Sequence, residues 1–163
     1  MRKKIYVTQL AYSTVRIECE LATGGICTGT GYFFKFKNNP EKREYIPVVI
    51  TNKHVVRGAE KGKLIFCTSK DGMPVDIEHF EIDLDNFESF WKGHPDDEVD
   101  LCAMPIAPFL RVAEQSGKPL FYIPLDVSLI PNKQQLDDLS AMEDIVMIGY
   151  PNGIWDSVNN KPI

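Results

Sequence analysis

Residues 12–21 alternate apolar and polar side chains with a period of two. Such alternation is typical of a β-strand with one buried face, because successive side chains of a strand point to opposite faces. The apolar face carries Val15, Ile17, Cys19 and Leu21. Residues 22–25, rich in glycine, follow as a turn, so the pattern predicts a strand that leads into a hairpin.

Further short apolar runs, separated by turn-forming residues, repeat this pattern along the chain. They predict strands at residues 31–37, 45–51, 63–68, 75–82, 100–106 and 145–148. Weaker patterns predict a helical turn at 109–116, an extended crossing segment at 121–131 and an amphipathic helix at 132–142. Short strands at such close spacing are typical of a β-barrel or β-sandwich, so we expect an all-β fold.

The composition excludes several classes of function. The chain has 163 residues and a net charge of -5, with its acidic residues scattered. The one basic run, Arg2-Lys3-Lys4, is too short to form a nucleic-acid-binding arm. It is followed neither by the uninterrupted apolar stretch of a secretory signal nor by a membrane-spanning run. Unless a leader was removed, we expect a cytoplasmic protein that binds neither nucleic acid nor membrane.

The cysteines and the outlying histidines give no sign of a metal site. None of the four cysteines, Cys19, Cys27, Cys67 and Cys102, lies in a C-x-x-C pair, so a structural zinc is weakly supported. Three of them lie in apolar runs, where cysteine behaves as a small buried hydrophobe. His79 and His94 lie in polar stretches without metal-ligand spacing. We expect free thiols, as in a reducing compartment, and no cofactor.

One histidine and one aspartate stand where predicted strands meet loops. His54 follows the strand at 45–51, and Asp100, 46 residues later, opens the strand at 100–106. Histidine suits general acid–base catalysis because its unperturbed pKa lies near 6.5. A carboxylate beside it fixes the imidazole tautomer and stabilises the imidazolium. We therefore predict His54 as a general base and Asp100 as the residue that orients it; Asp96 and Asp97 are the fallback candidates.

Non-catalytic interpretations of His54 and Asp100 remain open. A histidine after a strand is most often a surface or capping residue. An aspartate at the start of a strand often accepts a hydrogen bond from a turn amide. Asp96 and Asp97 read more naturally as part of a solvated loop, since no apolar strand follows them directly.

Four short segments resemble one known family. They are Gly29-Thr30-Gly31 before a strand, residues 51–56, residues 99–101 around Asp100, and residues 148–153. Together they resemble the trypsin-like serine peptidases, within them the disulfide-free bacterial branch that includes the Deg-type proteases. The resemblance implies a double β-barrel. Residues 1–125 would form a complete first barrel that carries His54 and Asp100, and residues 126–163 the crossing segment and the start of a truncated second barrel.

The resemblance also implies an activity that this sequence does not complete. A serine endopeptidase hydrolyses peptide bonds of a polypeptide substrate through an acyl-enzyme and needs no cofactor. The family's Gly-Asn/Asp-Ser-Gly-Gly nucleophile motif is absent after Asp100; in the family it would lie downstream of Ile163. We therefore expect the N-terminal part of a peptidase, inactive by itself. The apolar strand at 145–148 would present an open edge that favours self-association or a partner strand.

Two other functions remain open. The chain would be a non-catalytic, peptidase-like β-barrel that serves as a binding or sensor module, or a cysteine peptidase. Residues 25–29 mimic a nucleophile elbow around Cys27, although they precede His54 instead of following Asp100. Ser157 lacks flanking glycines and is interpreted as a loop serine.

Overall fold

The computed structural model describes residues 7–39, 44–140, 142, 144–151 and 154–163. Within them, seven strands form one antiparallel sheet in the order β5-β4-β1-β2-β3-β7-β6. The strands are β1 (Thr14–Leu21), β2 (Ile26–Asn39), β3 (Glu44–Thr51), β4 (Ala59–Lys70), β5 (Met73–Asp85), β6 (Lys92–Gly93) and β7 (Cys102–Pro105). The prediction of an all-β class is confirmed, and β2, β4 and β5 extend beyond their predicted bounds.

Helices are few and short in the described residues. They are α1 (Val7–Leu10), α2 (Lys53–Val56), α3 (Ala107–Gln115) and α4 (Lys133–Asp137), with 3-10 turns at Ala11–Ser13, Phe87–Phe90 and Val127–Leu129. The helical turn predicted at 109–116 is α3. The amphipathic helix predicted at 132–142 is wrong in length, because only α4 forms and its apolar residue Leu136 is 51% exposed. No helix among these is long and apolar enough to cross a membrane.

The sheet is open, with β5 at one edge and β6 at the other. The described residues therefore do not show a complete first barrel that is closed by hydrogen bonds between its first and last strands. Beside β3, the strand β7 pairs along its whole length, and on its other side the two-residue strand β6 pairs with Cys102 and Ala103.

The core lies on the face of the sheet that the alternation in β1 predicts. Val15, Ile17 and Cys19 are each at most 1% exposed and pack with apolar side chains of β2 and β4. Arg16, expected on the polar face, is buried as well. Its guanidinium lies 3.4 Å from the centroid of the Trp155 ring and pairs with Glu18 at 2.7 Å. A contact from a distant segment thus overrides the local pattern.

The predicted crossing segment is extended over residues 121–125 and passes along one end of the sheet. Its amides donate to carbonyls of three successive elements: Phe121 to Cys67 at 2.9 Å, Ile123 to Tyr12 at 2.9 Å, and Leu125 to Phe33 at 2.8 Å. The segment thereby ties β4, the turn before β1, and β2 together. It carries the chain from the sheet to residues 126–163.

The strand predicted at 145–148 is wrong. Residues 144–148 have no regular secondary structure, and the side chains of Ile145 and Met147 are both 86% exposed. A strand requires a hydrogen-bonded neighbour, and the described residues place none beside this run. Asp100, predicted to open a strand, likewise lies two residues before β7.

Gly62 in β4 leaves no room for a side chain beside the core. A Cβ atom at this position would lie 2.2 Å from Cγ of Phe87, whose side chain is fully buried. The ring of Phe87 therefore packs directly on the backbone of β4. Gly25, by contrast, has room: its nearest neighbour would be Cδ1 of Leu21 at 3.4 Å.

We predict that Gly62→Ala lowers the free energy of unfolding by about 1–3 kcal/mol, the usual cost of overpacking a core. The added methyl group forces either Phe87 or β4 to move. Urea denaturation of the variant and the wild type measures the difference. Gly25→Ala is the matched control and should change stability much less. An equal loss in both variants would contradict the packing of Phe87 under β4.

Candidate active site

The end of β3 fixes the position of His54. Thr51, the last residue of β3, is 1% exposed, and its hydroxyl donates to the carbonyl of Thr30 in β2 at 2.8 Å. Asn52 is extended and occupies the N-cap position, so α2 begins at the next residue. His54 is therefore in the first turn of a helix whose starting point is held by a partly buried hydrogen bond.

The underside of α2 packs closely on β1 and β2. A Cβ atom on Gly29 would lie 2.4 Å from Cγ1 of Val55, so only glycine allows this approach. The carbonyl of Val55 accepts hydrogen bonds from the thiols of Cys19 at 3.5 Å and Cys27 at 3.4 Å. With Val55 held against the sheet, the side chain of His54 points outward and is 68% exposed.

The pairing of β7 with β3 brings Asp100 to α2. Cys102 in β7 is the register partner of Thr51 in β3, so the residues just before β7 lie beside the residues just after β3. The amide of Asn52 donates from Nδ2 to the carbonyl of Asp100 at 2.8 Å. This hydrogen bond fixes the backbone of Asp100 at the entry to α2.

The carboxylate of Asp100 binds His54 through both of its oxygens. Oδ1 accepts the backbone N–H of His54 at 3.1 Å, and Oδ2 lies 2.5 Å from Nδ1 of the imidazole. Because an ionised carboxylate only accepts hydrogen bonds, Nδ1 carries the proton. The remaining ring nitrogen, Nε2, then presents its lone pair and is available as a base.

Hydrogen bonding lowers the pKa of Asp100. The largest cause is the side-chain hydrogen bond from His54, and the backbone N–H of His54 and the amide of Asn52 act in the same direction. Desolvation opposes them but is outweighed. The carboxylate therefore stays ionised beside the imidazole, as is required to stabilise an imidazolium formed during proton transfer.

The fallback aspartates do not contact His54. Oδ1 of Asp96 accepts the backbone N–H of Glu98 at 3.0 Å, and its carbonyl accepts Nζ of Lys53 at 3.1 Å. Asp97 lines a cavity of about 280 Å³ beside α2. Of the three candidate carboxylates, the structure brings Asp100 alone to the imidazole.

The other histidines lie outside this arrangement. Nδ1 of His94 accepts the backbone N–H of Asp96 at 3.1 Å, and both ring nitrogens of His79 are buried without a hydrogen-bond partner in the described structure. Among the residues that the structure describes, no group of three or more His, Cys, Asp or Glu side chains is arranged to hold a metal ion.

Neither alternative nucleophile, Cys27 or Ser157, has a described hydrogen bond to the imidazole of His54. The thiol of Cys27 donates to the carbonyl of Val55, on the side of α2 that packs against the sheet. Ser157 is exposed in the turn between Asp156 and Lys161. Both hydrogen bonds described for His54 go to Asp100.

The structure adds positioning residues that the sequence alone did not reveal. Asn52 lies inside the segment 51–56 but received no role, although its place directly before a short helix marks it as an N-cap. Thr30 likewise accepts the backbone N–H of the buried Tyr150 at 2.8 Å. The first and last of the four family-like segments are therefore in contact, as are the first with the second and the second with the third. Residues 152 and 153 of the last segment lie outside the described residues.

No protein-family model, no curated protein and no solved structure matches this chain.

We predict that His54→Ala raises the pKa of Asp100 towards its ordinary value of about 3.9, because the principal hydrogen bond to the carboxylate is lost. Carboxyl-detected NMR titration measures the shift. In the wild type the ionised carboxylate of Asp100 stabilises the folded state fully at pH values above the pKa that Asp100 has in the unfolded chain. This stabilisation is lost as the pH falls through the lower pKa that Asp100 has in the folded state. The loss of folding stability at low pH should therefore be smaller in His54→Ala than in the wild type.

Asp156 provides an internal control for that titration. Its pKa is also lowered, chiefly by a hydrogen bond from the side chain of Asn159, and it should not respond to His54→Ala. A pKa of Asp100 that is the same in wild type and variant would contradict the hydrogen bond to His54.

Proposed function

We propose that this chain is the N-terminal part of a trypsin-like serine endopeptidase, with His54 as the general base and Asp100 as its orienting carboxylate. The observation that carries the proposal is the hydrogen bond of 2.5 Å between Nδ1 of His54 and Oδ2 of Asp100, which leaves Nε2 for a reacting proton. The four segments that resemble this family support the same conclusion.

In the proposed reaction, Nε2 of His54 accepts the proton of a serine hydroxyl as the serine oxygen attacks the scissile carbonyl. The imidazolium is stabilised by Asp100 and then donates this proton to the leaving amine, giving the acyl-enzyme. Water repeats the sequence to release the product. The serine and the oxyanion-hole donors must come from further polypeptide, so the chain shown is expected to be inactive by itself.

The proposed architecture is the double barrel of this family, with the open sheet as the first barrel and residues 126–163 as the beginning of the second. The contact of Tyr150 with Thr30 supports it, because it attaches this later segment to the sheet near α2. The exposed run at 145–148 is where the rest of a second barrel, a second copy or a partner strand would bind. We also propose a reducing compartment such as the cytoplasm, which fits four free thiols.

The rival proposal is a peptidase-like module that binds without catalysis. It is favoured by the observation that neither Cys27 nor Ser157 has a described hydrogen bond to the imidazole of His54. In that case the His54–Asp100 pair would only stabilise the start of α2. Replacing His54 would then leave the function of the longest natural form unchanged.

We predict that a fluorophosphonate probe labels the longest natural form of this protein and that His54→Ala abolishes labelling. His94→Ala, which removes an exposed imidazole on the neighbouring loop, is the matched control and should label like the wild type. Asp100→Asn should slow labelling by several orders of magnitude, since loss of the triad aspartate lowers kcat by about 10⁴-fold in such peptidases.

A well-folded wild-type protein that the probe does not label would refute the serine peptidase and favour the binding module. Labelling that survives His54→Ala would place the reactive serine outside the proposed mechanism.

A further inference from the structure

Two cysteines lie directly opposite each other in the hairpin beneath α2. Cys19 in β1 is the register partner of Cys27 in β2, and both thiols are free. Directly opposite residues of an antiparallel pair have Cα atoms about 4.5–5.5 Å apart, which lies within the range of about 4.4–6.8 Å that the Cα atoms of a disulfide span. The strand pairing therefore already holds the two cysteines at about the separation that a disulfide bond needs.

Both thiols donate to the same acceptor, the carbonyl of Val55, at 3.5 Å from Cys19 and 3.4 Å from Cys27. Val55 follows His54 in α2. Burial is the largest cause that raises the pKa of the Cys19 thiol, and the proximity of Cys27 is the next. The two sulfur atoms therefore lie close to each other as well as to the backbone of α2.

The two thiols differ in their access to solvent. Cys19 is 1% exposed, whereas Cys27 is half-buried and follows Ile26, which is 81% exposed. A small oxidant would therefore reach Cys27 first, and Cys19 would be protected until a disulfide partner is formed beside it.

We propose that Cys19 and Cys27 form an oxidation-sensitive pair whose disulfide releases the carbonyl of Val55 and so loosens α2 and His54. The thiolate of Cys27 attacks hydrogen peroxide, giving a sulfenic acid and water. The sulfur of Cys19 then attacks that of Cys27 and expels a second water. Two thiols are oxidised to one disulfide, and one peroxide is reduced to two waters.

The consequence for the site follows from the hydrogen bonds. Disulfide formation removes both S–H donors, so the carbonyl of Val55, on the underside of α2, loses two partners at once. A partly buried carbonyl that loses its hydrogen-bond donors destabilises its surroundings. The same helix carries His54, so its geometry towards Asp100 changes. This regulation of the site rests on the proposed function, whereas formation of the disulfide does not.

The test treats the chain with hydrogen peroxide and counts thiols with a maleimide after denaturation. The count should fall from four to two and return to four with dithiothreitol. Trypsin cleaves after Arg16 and Lys35, so one peptide, residues 17–35, carries both cysteines. That peptide should become lighter by two hydrogens. In ¹H–¹⁵N spectra, the amides of His54, Val55 and Val56 should shift on oxidation.

Two variants complete the design. Cys27→Ser keeps a hydroxyl donor for the carbonyl of Val55 but should abolish both the mass change and the amide shifts. Cys67→Ser is the matched control, because the Cys67 thiol also donates to backbone carbonyls, and residues 17–35 should still lose two hydrogens. A thiol count that stays at four, or a disulfide formed by Cys67 or Cys102, would overturn the proposal.

The coupling to the site has its own outcome. A disulfide between Cys19 and Cys27 that leaves the amides of His54, Val55 and Val56 unshifted would overturn the link to α2. Because none of these measurements uses a substrate or a serine probe, a failure of the proposed function leaves their result intact.

Discussion

The hydrogen bond between His54 and Asp100 exists because two stretches of backbone meet at one end of the paired strands β3 and β7. The end of β3 places His54, the approach to β7 places Asp100, and the pairing of β3 with β7 brings the two together. Asn52 then joins the two stretches through the carbonyl of Asp100. The hydrogen bond between His54 and Asp100 is thus held mainly by strand register and by the hydrogen bond from Asn52, and not by burial, since both side chains are substantially exposed.

The exposure of the imidazole depends on what lies beneath it. Gly29 and the two thiols hold Val55 against the sheet, so His54 at the preceding position of α2 points away from it. The same short helix therefore carries the hydrogen bond to Asp100 on its outer side and the hydrogen bonds from the Cys19 and Cys27 thiols on its inner side. Because Val55 directly follows His54 in the chain, a change in the hydrogen bonds to Val55 acts directly on the position of His54.

Local sequence patterns predicted the elements whose structure depends on local chemistry. The alternation in residues 12–21 located β1 and its buried face, and the segments around His54 and Asp100 identified two side chains that the fold brings together. The burial of Arg16 was not predictable in this way. It depends on Trp155, which is distant in sequence and whose contact leaves no mark on the alternation.

The errors in the interpretation of the sequence share a physical cause. The run at 145–148 has strand-like composition, but a strand forms only beside a partner, and pairing is a tertiary property. The role of Asn52 was missed because a single residue before a four-residue helix gives a weak signal compared with the strands around it.

The most direct test of the central claim is the tautomer of His54, measured by ¹⁵N chemical shifts of its neutral imidazole. The hydrogen bond to Asp100 requires the proton on Nδ1, whereas His94, whose Nδ1 accepts the amide of Asp96, requires it on Nε2. We predict these opposite tautomers in one spectrum, with that of His54 changed by Asp100→Ala. A His54 protonated on Nε2 in the wild type would contradict the account, because no base would then be available for a nucleophile.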